Sequence, residues 1–436
     1  MTTPVQLAYK NLLLVCMACA SVWAQAQTTA PASVPSPTLA SLVRDALDSH
    51  PATQSQRALV ASAAAGVESA RWQFYPTPSV SVENATTSGA DPSYQGDNRV
   101  ATLRLQQPLY SGGRLTAGAD KAQASLDQSQ AALEESRLQL SLRVVQAYGE
   151  WLSAHLKVQA SQKNEDTHNR LLRQVQRRID EGVSAESDRV LALGRLDAVR
   201  AEVTAAQVQG DMALARLGQL LGRPIAGAAL TRTVATPRPV SAQTAALLEQ
   251  ALGQSAALQK AQSQVRVQEA TVVERRADLL PEIYLRAERQ YGNFNFANGA
   301  PVNRLFVGVS SRLGAGLSGL SNVAAARSQL EAALAEVQVQ TRNLNEQVLA
   351  DHAQFTATER RLASVQASLR SAQSVSESFD RQFLAGRKTW LDVMNAAREL
   401  AQTEAQIADL LSTQVVVSWR LSFYTQGIEA VTQGTP

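Results

Sequence analysis

The chain has 436 residues and a formal net charge of +3, too small an excess of basic residues to indicate a nucleic-acid-binding protein. Aromatic residues make up only 5% of the chain, whereas Ala, Gln, Leu, Glu and Arg are abundant, a composition typical of long helices packed side by side. Both cysteines, Cys16 and Cys19, lie near the N-terminus, and the four histidines show no metal-ligand spacing. The sequence therefore predicts no disulfide, no thiol chemistry, no metal site and no cofactor.

Residues 1–26 are predicted to be a secretory signal peptide. Lys10 supplies the positive charge, a short apolar run follows, and small residues mark cleavage after Ala24 or after Ala26. A membrane-spanning helix would need about 20 apolar residues, roughly twice as many as this run contains. Cys19 leaves lipidation open as an alternative, although the residues before it fit that signal poorly. The sequence thus predicts an exported protein.

The remainder of the sequence repeats itself at an offset of about 204 residues. At this offset Gly182 coincides with Gly386, and Asp188 coincides with Asp392. Such coincidences indicate an internal repeat. Two copies are too few for a solenoid, so the repeat is interpreted as a duplication. The predicted organisation is a first repeat at 27–222, a linker at 223–240, a second repeat at 241–427 and a C-terminal tail at 428–436.

Both repeats are predicted to contain a helical region, a β-hairpin, a long helix and a shorter return helix. Pro76 and Pro281 end the opening helical regions, and Pro51 is expected to split the first of them. A helix of about 65 residues is ~100 Å long, far longer than the bilayer core of ~30 Å. The parts are predicted at 39–75, 77–109, 114–181 and 185–222 in the first repeat, and at 241–280, 281–313, 320–385 and 388–427 in the second.

The two hairpins supply four short strands in which apolar and polar residues alternate, as expected for strands with one apolar face. Four strands cannot close a barrel, and open strand edges are not tolerated in lipid, so closure would need several chains. The alternative is a pair of exposed hairpins on a soluble helical bundle. In the second hairpin the residues predicted to face lipid are Ile283, Leu285, Leu305, Val307 and Val309, and those predicted to face water are Arg286, Glu288 and Arg312.

Three segments resemble the TolC family of outer-membrane export channels. QPLYSGGR at 107–114, which includes Pro108, Gly112 and Gly113, is similar to the strand-to-helix junction of that family. GVSAESD at 182–188 and FLAGRKTWLDV at 383–393 are similar to its two helical tip turns. The resemblance implies a mainly α homotrimer with duplicated long-helix hairpins. The three chains would share a 12-stranded β-barrel in the outer membrane, four strands per chain, and an α-helical barrel in the periplasm.

The same resemblance implies a constricting periplasmic entrance at the tip. It places Asp392 in an acidic ring, Asp188 and Lys388 in polar links that hold the gate closed, and Phe383 where a tyrosine is usual. Asn395 stands where a second acidic ring can occur, so this gate is expected to be less acidic and less strongly tied. Capping of the return helices is the alternative role for the two aspartates. The tip turns at Gly182 and Gly386 are the expected docking points for a periplasmic adaptor protein.

The segment 314–319 spells GxGxxG, which superficially suggests a dinucleotide-binding site. That site requires a βαβ unit with an acidic residue about 20 positions further on. Here a long helix without a following strand is predicted, and the other repeat also has a glycine-rich turn at this point. The motif is therefore interpreted as a turn.

The resulting function hypothesis is a passive duct in the outer membrane, and not an enzyme. The segment 378–393 is similar to channels of type I secretion systems, which implies an ABC exporter, an adaptor and a large adhesin as the exported protein. A channel of a proton-driven drug efflux pump is the first alternative, and export of metal ions or other small molecules is the second. A periplasmic adaptor or coiled-coil protein and a secreted enzyme are further alternatives, disfavoured by the paired hairpins and by the absence of a catalytic motif.

Overall fold

A computed structural model describes residues 38–86, 89, 91–230, 235–297, 299–311 and 318–433. The predicted signal peptide with Cys19, Arg312 and most of the GxGxxG segment lie outside the described residues. The helices are α1 Leu39–Ser49, α2 Pro51–Trp72, α3 Arg114–Asp180, α4 Glu186–Leu221, α5 Gly227–Leu230, α6 Thr244–Gln254, α7 Ala256–Ala277, α8 Ser318–Leu384, α9 Trp390–Gln426 and α10 Ile428–Gln433. The strands are β1 Thr77–Asn84, β2 Arg99–Tyr110, β3 Glu282–Tyr291 and β4 Val302–Ser310.

The opening helical region of each repeat is broken into two helices. In the first repeat α2 begins at Pro51, and the ring of His50 accepts a hydrogen bond from the backbone N–H of Ala52. The helical region predicted at 241–280 in the second repeat also contains a break, which was not predicted. Ser255 ends α6 and caps α7 by accepting a hydrogen bond from the Leu258 N–H. Because no proline marks this break, the sequence pattern did not indicate it.

Two helices of 67 residues each, α3 and α8, form the body of the chain. At 1.5 Å per residue each is ~100 Å long. The shorter α4 and α9 return along them, and the packing order across the layer is α4, α3, α9, α8. In the halves of α3 and α8 nearer the sheet, α2 packs against α3, and α7 packs against both α3 and α8. No helix in the described part of the chain is both long and apolar enough to cross a membrane.

The largest core lies at mid-height, where the ends of α4 and α9 meet the centre of α3. Its buried aromatic residues are Tyr148 and Trp151 of α3 and Trp419 and Phe423 of α9. The Tyr148 hydroxyl accepts a hydrogen bond from the Ala235 N–H. Helix α10 packs here through Ile428 and Val431. The predicted tail at 428–436 therefore begins as a helix that belongs to the core, because its apolar residues recur at helical spacing.

The four strands form one antiparallel sheet in the order β1-β2-β3-β4. Residues directly opposite each other on neighbouring strands share a face, so the register fixes which side chains lie together. One face carries most of the aliphatic residues of the four strands, together with Arg289, and the other is mainly polar but includes Tyr284 and Phe306. The apolar face is exposed in the single chain, with Leu305 and Val307 at 70% and 72%. Its aliphatic members are Val80, Val82, Leu103, Leu105, Ile283, Leu285, Leu305, Val307 and Val309.

Candidate functional site

Two tight turns form the end of the helical layer farthest from the sheet. Gly182 and Gly386 have φ values of +74° and +71°, a conformation that favours glycine over residues with a Cβ atom. Each turn is closed by a hydrogen bond that reaches back five residues, from Val183 to Arg178 and from Arg387 to Gln382. This pattern is the Schellman motif, which is common at helix C-termini. The duplication has therefore placed the same turn twice at one end of the chain.

Asp392 and Thr389 form a capping box at the start of α9. The Asp392 carboxylate accepts hydrogen bonds from the Thr389 N–H at 3.0 Å and from its hydroxyl at 2.8 Å, and the Asp392 N–H donates back at 3.2 Å. The hydroxyl and the backbone N–H of Thr389 hold the pKa of Asp392 below its ordinary value. The capping role considered for this aspartate is thus observed. The carboxylate stays solvent-accessible and charged.

Asp188 occupies the corresponding position of α4, but without a capping box. Ala185 stands at the N-cap and supplies no side-chain oxygen. Both aspartates lie in the first turn of their helices. Carboxylates in that turn interact favourably with the helix dipole.

A small apolar core holds the two turns together, and Phe383 belongs to it. The Phe383 side chain is only 2% exposed and packs with Leu171, Val175, Trp390 and Met394. Its ring also lies 4.6 Å from the Arg178 guanidinium carbon. The sequence resemblance had placed Phe383 among the residues of the entrance. In this chain it stabilises the turns from inside and does not face an opening.

Lys388 contacts an aromatic ring of its own hairpin. Its ammonium nitrogen lies 4.3 Å from the centroid of Phe379, a cation–π contact. Among the described residues no ion pair joins Lys388 to Asp188 within one chain. A link between these two residues of neighbouring chains stays a prediction.

Apolar side chains point outward from the same turns, a feature that sequence reasoning missed. Val183 and Leu384 are 69% and 68% exposed and adjoin Gly182 and Gly386. Next to them Val190 and Leu191 of α4 line a shallow groove. Large apolar residues adjoining both turns are the only sequence signal that would have indicated this surface.

The strand-to-helix junction is shaped by Pro108, Gly112 and Gly113. The pairing of β2 with β3 shifts register between Pro108 and Tyr110. Gly112 and Gly113 have φ values of +62° and +90°. A Cβ atom on Gly112 would lie 2.8 Å from the Leu280 Cβ, so the turn needs glycine for space as well as for conformation. This junction redirects the chain from the sheet into α3.

Comparison with known proteins identifies the family. The sequence profile of the family described as "Outer membrane efflux protein" matches residues 42–223 and 247–425. The alkaline protease secretion protein AprF of Pseudomonas aeruginosa is 25% identical over 338 residues, which cover 75% of this chain and 69% of AprF.

Solved outer-membrane channels share the fold. VceC from Vibrio cholerae matches with a TM-score of 0.77 at 18% identity, over 89% of this chain and 96% of VceC. CmeC from Campylobacter jejuni matches with a TM-score of 0.75 at 16% identity, over 89% and 85%. MtrE from Neisseria gonorrhoeae matches with a TM-score of 0.72 at 15% identity, over 90% of each chain. The predicted TolC-type fold is thereby confirmed. The chain belongs to the outer membrane efflux protein family and is an outer-membrane channel protein with a long helical periplasmic part, not an enzyme.

Proposed function

We propose that three copies of the chain assemble into one duct through the outer membrane. The observation that carries this is the sheet, whose apolar face is exposed and whose order leaves β1 and β4 at its edges within the described part of the chain. Unpaired strand edges are not tolerated in lipid, so β4 of one chain must pair with β1 of the next. The TolC resemblance sets the number at three, which gives twelve strands, enough for an aqueous lumen.

We infer that this duct serves type I protein secretion. The support comes from the tip segment 378–393, and from a relative named for the secretion of alkaline protease. The partners are then an inner-membrane ABC exporter, a periplasmic adaptor and an exported protein, for which a large adhesin is the first candidate. The competing proposal is a channel for a proton-driven drug efflux pump, which fits the family description equally well.

The outward-facing apolar residues at the tip suit an adaptor protein. Val183 and Leu384 adjoin the two turns at Gly182 and Gly386, so each protomer presents two similar contacts. Exposed apolar side chains gathered at one end of a polar helical layer are typical of protein interaction sites. Docking there would contact the same turns that carry Asp188, Lys388 and Asp392.

Deletion of the gene separates the two proposals. In the producing bacterium we expect a large protein to disappear from the cell surface or the medium while its synthesis continues, because the duct is its passage through the outer membrane. Immunoblots of cell, surface and medium fractions measure this. Unimpaired secretion, together with greater sensitivity to dyes and detergents, would instead support drug efflux.

The gate proposal concerns Asp392, which a trimer presents three times around one axis. Like charges gathered at a narrow opening attract cations, and salt screens the effect. We expect Asp392→Asn to lower the ratio of cation to anion permeability of purified channels in planar bilayers at low salt. An unchanged ratio would make Asp392 a helix cap only.

Thr389→Ala is the matched control for that measurement. It removes the hydroxyl of the same capping box, at a cost of about 1 kcal/mol, and keeps the carboxylate. The permeability ratio of this variant should therefore match the unsubstituted channel. An equal loss of cation preference in both variants would assign the effect to the cap and not to the charge.

A further inference from the structure

The polar face of the sheet carries an unequal distribution of charge. Pairing places Arg104 of β2 opposite Glu288 of β3, and Glu288 opposite Arg304 of β4, so the three lie in one row across the sheet. Arg286 lies on the same face in the next row. Rows on one face are two residues apart, about 7 Å. Three arginines and one glutamate thus share a band only two rows high, which we name the arginine belt.

The glutamate of the belt already forms ion pairs with two of the three arginines. Glu288 Oε1 lies 2.7 Å from Arg104 Nε and 3.1 Å from Arg286 Nε, and the Glu288 side chain is only 10% exposed. Arg304 instead donates to the amide oxygen of Gln290 at 2.7 Å, a neutral partner. One negative charge against three positive charges leaves +2 per chain in the belt.

The other acids of this face are too distant to balance that charge. Glu83 lies four residues along β1 from Ser79, which faces Arg104, a separation of about 13 Å. Glu282 lies at the opposite end of β3 and forms an ion pair with Arg114 at 3.4 Å. The distance from each of these acids to the belt therefore exceeds or approaches about 8–10 Å, beyond which salt largely screens the interaction between two exposed charges.

Aromatic residues fix one arginine of the belt in position. The Arg286 guanidinium carbon lies 4.6 Å from the ring centroid of Phe306, which is directly opposite in the next strand. It also lies 5.8 Å from the ring of Tyr284. A planar guanidinium stacked on a ring keeps its charge while losing freedom. The belt therefore includes one cation held between aromatic rings and two arginines held by polar partners.

We propose that the arginine belt is an anion-attracting ring in the membrane part of the duct. This inference rests on the proposed trimer, in which the apolar face contacts lipid and the polar face lines the lumen. The belts of three chains then place six net positive charges around one lumen. Charges of one sign that line a cavity with low-dielectric walls raise the local concentration of the opposite ion. The proposed gate at Asp392 carries the opposite sign, so the duct has two charged rings in series.

The expected effect is large enough to measure. A change in local potential of only one kT alters the ratio of anion to cation concentration roughly sevenfold, since the two ions respond in opposite senses, and protein fields reach several kT. We expect the double variant Arg104→Gln/Arg304→Gln to lower the chloride-to-potassium permeability ratio several-fold. Glu288→Gln should raise it. The measurement is the reversal potential of purified channels in planar bilayers under a KCl gradient at low salt.

Arg289→Gln is the matched control. Arg289 neighbours Glu288 in β3 but lies on the opposite face of the sheet, opposite Leu103 and Asn303. Arg289→Gln removes one positive charge per chain, as the single variant Arg304→Gln does, and its permeability ratio should equal that of the unsubstituted channel. Heat-modifiable trimer on gels verifies that each variant assembles, and the single variant Arg304→Gln serves if the double variant does not.

The outcomes separate this inference from the function it rests on. If the unsubstituted protein forms no conducting channel, the proposed duct itself is wrong. If it conducts and the belt variants leave the permeability ratio unchanged, or change it no more than Arg289→Gln, the duct stands and the arginine belt is refuted.

Discussion

Val307→Arg is expected to reduce assembled channel to less than about a tenth, because a cation on the lipid face of a membrane strand costs ~2–4 kcal/mol near the midplane. Val307 is 72% exposed in the single chain and lies opposite Leu285 on the apolar face. In a trimer the cost is incurred three times in one assembly. Quantifying heat-modifiable trimer in the outer-membrane fraction measures the effect.

Ser310→Arg is the control for that substitution. Ser310 belongs to the same strand but shares the polar face with Glu282, which lies directly opposite. The same large cation placed there meets water and a carboxylate, so assembly should be close to normal. Equal tolerance of arginine at both positions would remove the assignment of the apolar face to lipid.

Gly149→Ala is expected to lower the stability of the channel by roughly 1–3 kcal/mol, the cost typical of overpacking a core. Gly149 lies where α3 crosses α9. A Cβ atom there would overlap the Val416 Cγ2. The Ser412 hydroxyl also donates to the Gly149 carbonyl at 2.6 Å, so the two helices cannot easily move apart. The temperature at which purified trimers dissociate in detergent measures the loss.

Gly118→Ala provides the comparison in the same helix. A Cβ atom on Gly118 meets open space, so only the helix preference for alanine remains, a gain of up to about 1 kcal/mol. The two variants should therefore shift the dissociation temperature in opposite directions. A shift of the same sign and size in both would mean that the crossing at Gly149 is not tightly packed.

Much of the fold follows from local patterns in the sequence. The long helices, the alternation in the strands and the glycine turns depend on neighbours a few residues away. These elements can therefore be predicted without the rest of the chain. The alternation in the second hairpin assigned Ile283, Val307 and Val309 to one face, and the strand register places them together. The duplication gave a second, independent prediction of each element, because both copies must form the same unit.

The tertiary structure decided which residues meet across the sequence, and several assignments changed for that reason. The family resemblance assigned Phe383 to the entrance, yet in the structure α3 and α9 bury its side chain. In the sequence Gly149 is an ordinary helical glycine, whereas in the structure Val416 of a distant helix lies against it. The belt needs the register that joins Arg104 of one repeat to Glu288 and Arg304 of the other. Local sequence specifies helix, strand and turn through short-range sterics and polarity. Burial and charge balance depend on packing partners that are distant in sequence, such as Gly149 and Ser412, which are 263 residues apart, and no local pattern encodes them.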